Sequence, residues 1–177
     1  TSARNPKVQR LRALQEHAKR RKEHGSFVVE GVRLAEEALM SNWPIRTALI
    51  TESLAEADPN LARALEARGI AEEVSASVMK SLSDTKTPQG VLLEVELRDT
   101  KLPDKVSFAL ILDAITDPGN LGTLLRTAAA ADCNAVLLAP GCADAFSPKV
   151  LRSAMGAHFR QPILAMDWPG IERTVRQ

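Results

Sequence analysis

Residues 106–140, VSFALILDAITDPGNLGTLLRTAAAADCNAVLLAP, decide how the second half of this chain folds. The stretch opens on an apolar run, VSFALILDA. It turns through Asp117, Pro118, Gly119, Asn120 and Gly122, passes an alanine-rich segment, and closes on a second apolar run, NAVLLAP. Two short apolar runs joined by a helix-length segment read as parallel strands with one crossover. The first run is apolar throughout, which predicts a central strand covered on both faces. The helix is expected from Leu121 to Asp132, with Asn120 as its cap and Pro118–Gly119 as a tight turn before it. Gly122 leaves room for a helix or a ligand to come close. Downstream, FSPKVLRSAMGAHF starts another helix with Ser147 as cap and Pro148 in its first position, and QPILAMD reads as a third strand.

Upstream, strand-like and helix-like segments alternate. SFVVEG, IRTALIT, AEEVS and GVLLEVEL read as strands. VRLAEEALMSN, NLARALEARG and ASVMKSLSD read as amphipathic helices. This predicts a small α/β/α layer domain over residues 1–98. RDTKLPDK, charged and broken by Pro103, reads as a linker centred on 99–105, and a second, parallel-sheet α/β domain follows over 106–177. In front of the first strand lies RNPKVQRLRALQEHAKRRKEHG. Asn5 suits a helix cap, Pro6 the first helical position, and Gly25 the stop. Val8, Leu11, Leu14 and Ala18 form its apolar seam.

Net charge is +1, but its distribution is uneven. Residues 1–25 hold eight Lys/Arg against two Asp/Glu, whereas residues 26–100 hold seven against thirteen. Arg4, Lys7, Arg10, Lys19, Arg20, Arg21 and Lys22 therefore put a basic surface on the N-terminal helix, with Arg33 on the helix after the first strand. Such a face is either a solvated helix surface or a phosphate-binding one. Without aromatic residues it would grip a nucleic-acid backbone more than read bases.

No apolar run is long enough for a membrane span, and the basic N-terminus lacks the apolar core of a signal peptide. Two cysteines, Cys133 and Cys142, are too few for a disulfide framework and suit reduced thiols in the cytoplasm. No glycine fingerprint for dinucleotides and no phosphate loop is present, and no Cys/His spacing suggests a metal. Ligands of open α/β sheets bind beyond the carboxyl ends of the strands, where the Asp113–Asn120 turn lies. Arg126, six residues after Asn120, could project from the same end region. From spacing alone, ordinary turn chemistry with a surface arginine explains the pattern equally well.

LDAITDPGNLGTLLRTAAAADCNAVLL resembles the first motif of the SpoU branch of the SPOUT superfamily, RNA ribose 2′-O-methyltransferases. FSPKVLRSAMGAHFRQPI resembles the segment that follows it. The N-terminal RNPKVQRLRAL…EGVRLAEEAL is similar to the family's RNA-binding domain. The resemblance implies a knotted, trefoil-type α/β catalytic domain working as a homodimer. It also implies methyl transfer from S-adenosylmethionine to a ribose 2′-hydroxyl, in ribosomal RNA rather than transfer RNA. Carried over, Arg126 matches the catalytic arginine and Asn120 the motif asparagine, and Arg152 and Ser153 become candidate RNA contacts beside their reading as helix-cap and surface residues. Two further family motifs, a Gly/Glu loop and a Ser-Leu-Asn stretch, do not occur in this chain. The resemblance therefore leaves the domain incomplete at its C-terminus, places most cofactor-binding residues in that absent segment, and calls for no metal. A non-catalytic RNA-binding module is the competing expectation.

Overall fold

The computed structural model describes residues 5–176 and divides the chain into two compact units, Thr1–Arg98 and Asp99–Gln177. In the first, α1 (Pro6–Glu16) and α2 (Ala18–His24) lead into β1 (Ser26–Glu30), α3 (Val32–Met40), β2 (Ile45–Ile50), α4 (Glu52–Ala57) and α5 (Pro59–Ala67). Then come β3 (Ala71–Glu73), α6 (Ala76–Leu82) and β4 (Val91–Glu96). The strands form one mixed sheet in the order β1-β4-β2-β3, with β4 antiparallel to both neighbours and β3 parallel to β2. One face buries Val28, Leu49 and Leu92 against Val8, Leu11 and Leu14 of α1 and Val78 and Met79 of α6. α3 and α5 bury Leu34, Ala38, Leu61 and Leu65. The predicted strands are all present.

Two features of this unit differ from expectation. The basic N-terminal helix is two helices, broken at His17, whose backbone is extended (φ −126°, ψ 117°). Arg21 reaches back across the break and donates to the carbonyls of Leu14 and Gln15, which α1 leaves open at its end. The extra helix α4 starts at Thr51, whose hydroxyl accepts from Leu54 N at 3.3 Å. At six residues it is too short to show a helical period.

In the second unit, β5 (Ala109–Leu112), β6 (Ala135–Leu138) and β7 (Ile163–Ala165) form a parallel sheet in that order. α7 (Pro118–Ala130) is the β5–β6 crossover. α8 (Pro148–Ala154) and a 3₁₀ turn (Ala157–Phe159) precede β7, and α9 (Trp168–Val175), unmarked in the sequence reading, follows it. One core joins Leu112, Val136 and Leu138 to Leu121 and Leu125 of α7 and Val150 of α8. On the other face Ala135, Leu137 and Ala139 pack with Ile171. The strand buried along its whole length is therefore β6, not β5. In the described sheet β5 pairs with β6 alone, and Ile111 and Phe108 are exposed. No described helix is long and apolar enough to cross a membrane.

Candidate functional site

α7 begins earlier than Leu121 because its cap is Asp117, not Asn120. The Asp117 carboxylate accepts from Asn120 N at 2.8 Å, and Pro118 fills the first helical position. Pro118 and Gly119 are thus the first turn of the helix rather than a turn before it. Lys149 Nζ lies 3.9 Å from the same carboxylate. An Asp directly before a Pro is itself a helix-start signal, and here it outranks the Asn.

Between β5 and α7 the chain passes through Ala114 in a left-handed conformation (φ 51°), unusual for a residue with a Cβ. The loop after β6 braces this bend. Ala143 N donates to Ile115 O at 2.8 Å, Ala139 N to Leu112 O at 2.9 Å, and the Cys142 thiol to the same Leu112 carbonyl at 3.3 Å. Gly141 faces Ala114 so closely that a Cβ there would lie 3.3 Å from the Ala114 methyl. Beyond the carboxyl end of β5 this leaves an open cleft of about 460 Å³. Ala114, Ile115 and Leu124 give it an apolar wall, and Thr116, Asn120 and Thr123 line it with polar groups.

Asn120 is in that cleft, but Arg126 does not line it. Six residues at roughly 3.6 per turn put the two on different sides of α7. Among the described residues no hydrogen bond joins them. Arg126 is exposed, has no carboxylate partner among the described residues, and donates from Nη1 to the Met155 sulfur at 3.4 Å. On α8, Arg152 and Ser153 are half-buried, and Ser153 packs against α7 where Gly122 makes room. A Cβ at Gly122 would sit 2.5 Å from that of Ser153, so this glycine serves helix–helix contact, the first of the two uses expected of it.

Two polar side chains of this unit, His158 and Gln161, are buried. His158 is 3% exposed and its Nε2 lies 2.7 Å from Ala145 O. A carbonyl only accepts, so Nε2 carries the proton. Burial pushes the imidazole pKa down to about 4, against smaller upward effects of the Ala145 hydrogen bond and the Asp144 charge. Gln161, also buried, donates to Leu125 O at 2.8 Å.

The N-terminal cations divide into two sets. Arg4 lies outside the described residues. Arg21 is 4% exposed and capped onto α1, so it is a structural arginine and not available to RNA, a correction to the sequence reading. Lys7 pairs with Glu72, and Arg10 donates at 2.6 Å to Glu94, a wholly buried carboxylate. These two are half-buried and turned toward the sheet. Lys19, Arg20, Lys22 and Arg33 are exposed, with Glu23 beside Lys19 and Arg20. Among the described residues no three His, Cys, Asp or Glu side chains are grouped to hold a metal.

Residues 5–93 match the MRM3-like substrate binding domain, and residues 107–176 match the SpoU rRNA Methylase family. A crystal structure of an AdoMet-bound rRNA methyltransferase from Sinorhizobium meliloti superposes with a TM-score of 0.84 at 34% identity, over 99% of this chain and 67% of that one. The chain belongs to the SpoU rRNA methylase family. Within this family it is 40% identical, over 84% of its length, to the mitochondrial rRNA methyltransferase 3 of Xenopus laevis. It is 36% identical, over 95% of its length, to the 23S rRNA (guanosine(2553)-2′-O)-methyltransferase of Bacillus subtilis. It spans 37% of the Xenopus relative and 65% of the Bacillus one. The Asn120–Arg126 motif lies within the SpoU match, and the basic helices lie within the substrate-binding match.

Proposed function

We propose that the protein containing this chain transfers a methyl group from S-adenosylmethionine to a ribose 2′-hydroxyl of ribosomal RNA, acting as a homodimer. The observation behind this reading is Arg126: an exposed guanidinium in the SpoU match, without a neutralising carboxylate among the described residues, on the helix that leaves the carboxyl end of β5. The cleft at the start of the same helix joins an apolar wall to amide, hydroxyl and Asp117 carboxylate groups, a chemistry that fits a nucleoside.

S-adenosylmethionine supplies an electrophilic methyl on its sulfonium when bound. A 2′-hydroxyl is a weak nucleophile that must lose its proton as the carbon–oxygen bond forms and the carbon–sulfur bond breaks. Arginine keeps its protons at any physiological pH, so Arg126 is not the base. Its role in this reading is to clamp the neighbouring phosphate and to stabilise the developing alkoxide, while a phosphate oxygen or water takes the proton. Asn120 holds the ribose from the cleft. The exposed Lys19, Arg20, Lys22 and Arg33 bind the RNA backbone, and Arg152 and Ser153, half-buried, contribute at the edge of α8.

The test is Arg126→Ala in the natural protein, assayed with labelled S-adenosylmethionine and ribosomal RNA. Loss of one transition-state cation predicts a fall in turnover of about 10²–10³-fold with an unchanged circular dichroism spectrum. Full turnover in the variant would overturn the assignment. RNA binding by a wild-type protein that transfers no methyl would favour a non-catalytic binding module.

A further inference from the structure

Arginine is a long side chain, and an exposed one samples many rotamers unless something holds it. Here the hold comes from the segment after α8. Met155 closes that helix in a left-handed conformation (φ 48°), and Gly156 continues it (φ 90°). Glycine enters this region freely, but a methionine does not. Two successive left-handed residues turn the chain sharply, and the Met155 thioether comes to lie 3.4 Å from Nη1 of Arg126.

The backbone of α7 is held at the same level. Gln161 donates to the carbonyl of Leu125, the residue before Arg126. One turn earlier, the contact of Gly122 with Ser153 brings the two helices together. Residues 153–161 therefore fix the helix that bears Arg126 as well as the side chain itself.

The chemistry of the acceptor matters. A carboxylate at this place would neutralise the guanidinium, and a hydrocarbon would leave it to rotate. A thioether is a weak and uncharged acceptor. It orients the cation and leaves its charge for phosphate and alkoxide. We infer that Met155 is a positioning residue for Arg126, directing the guanidinium through an N–H···S hydrogen bond. This rests on the role given to Arg126 above.

Two measurements test it, one of which needs no turnover. The chain has four methionines, so methyl-¹³C labelling gives four resolvable ε-methyl signals. Met155→Leu identifies the Met155 signal by its loss. Arg126→Ala is expected to move that signal and to leave those of Met40, Met79 and Met166 in place. An unmoved Met155 signal overturns the contact. In the natural protein, Met155→Leu keeps the volume and removes the acceptor. It is expected to lower kcat about five-fold, the worth of one modest hydrogen bond, with KM for RNA and the melting temperature unchanged. Met155→Gln offers a carbonyl oxygen at similar reach and is expected to restore most of kcat. Equal activity of wild type and Met155→Leu, or a Gln variant as slow as the Leu variant, overturns the inference. If wild type transfers no methyl to ribosomal RNA, the proposed function fails, and the methyl signals still decide whether Met155 holds Arg126.

Discussion

His158 shows how a single buried side chain can tie stability to pH. Its ring sits 5.3 Å from that of Phe146, its Nε2–H is given to Ala145 O, and its Nδ1 has no hydrogen-bond partner. With the folded pKa lowered to about 4 from 6.5, protons bind the unfolded chain first. Well above pH 6.5 the ring is neutral in both states and its titration leaves stability unchanged. Stability falls as the pH drops from 6.5 toward 4, by up to about 3 kcal/mol, and the loss levels off below that. His158→Gln keeps an amide donor near the position of Nε2 and cannot titrate. Denaturant titrations of wild type and variant at several pH values should therefore converge in slope above pH 6.5 and diverge between 6.5 and 4, with wild type the more pH-sensitive. Parallel curves through that window would mean that the imidazole is not held neutral by the fold.

At the scale of elements, what is legible in the sequence follows the length and periodicity of each segment. The strands show apolar runs bounded by turn residues, so Ser26–Glu30 and Val91–Glu96 can be read directly. The Asn120–Arg126 spacing is equally visible as a pattern. Helix ends and breaks are less so, because they are decided by side chains that find distant partners. His17 interrupts what looks like one continuous basic helix because Arg21 takes up carbonyls that a continuing helix would have bonded itself. Met155 carries no signal beyond the glycine after it, since its contact with Arg126 depends on a backbone turn that composition does not announce. The break in the basic helix makes a prediction, because neighbouring cations now have different jobs. Arg21→Ala should cost about 1.5–3 kcal/mol of stability, as buried charge-assisted hydrogen bonds do. Reversing Lys19, Arg20 and Lys22 together should cost less, about 1 kcal/mol, because their pairs with Glu23 and their place on α2 are exposed. It should weaken RNA binding across sequences and flatten the dependence of log affinity on log salt. Filter binding at a series of salt concentrations, beside thermal melts, separates the two effects. RNA affinity unaffected by the triple reversal would remove α2 from the RNA surface.

At the scale of the whole molecule, each unit has its own sheet and core, and each contains one of the two tryptophans. Trp43 is buried edge-on to Phe27 at 5.8 Å, with the Arg98 guanidinium 5.3 Å from its ring centre. Trp168 is half-exposed at the start of α9. The first unit also has an internal charge network. Glu94, wholly buried in β4, accepts from Ser26 Oγ at 2.9 Å and from Arg10, with Arg46 at 3.7 Å, and so joins β1, α1 and β2. Losing a hydrogen bond to a charged group typically costs about 1.5–3 kcal/mol, and the Arg10 and Arg46 side chains, 38% and 37% exposed, regain water when the carboxylate is removed. Glu94→Ala should accordingly destabilise the first unit by an amount of that order. Single-tryptophan backgrounds, Trp168→Phe to report on Trp43 and Trp43→Phe to report on Trp168, let fluorescence follow each unit through denaturant. If the two cores are separate cooperative bodies, Glu94→Ala moves the Trp43 transition to lower denaturant and leaves the Trp168 transition where it was. An equal shift of both would show that the two units unfold as one, and a mutation in the basic helices would then act on Arg126 through stability alone.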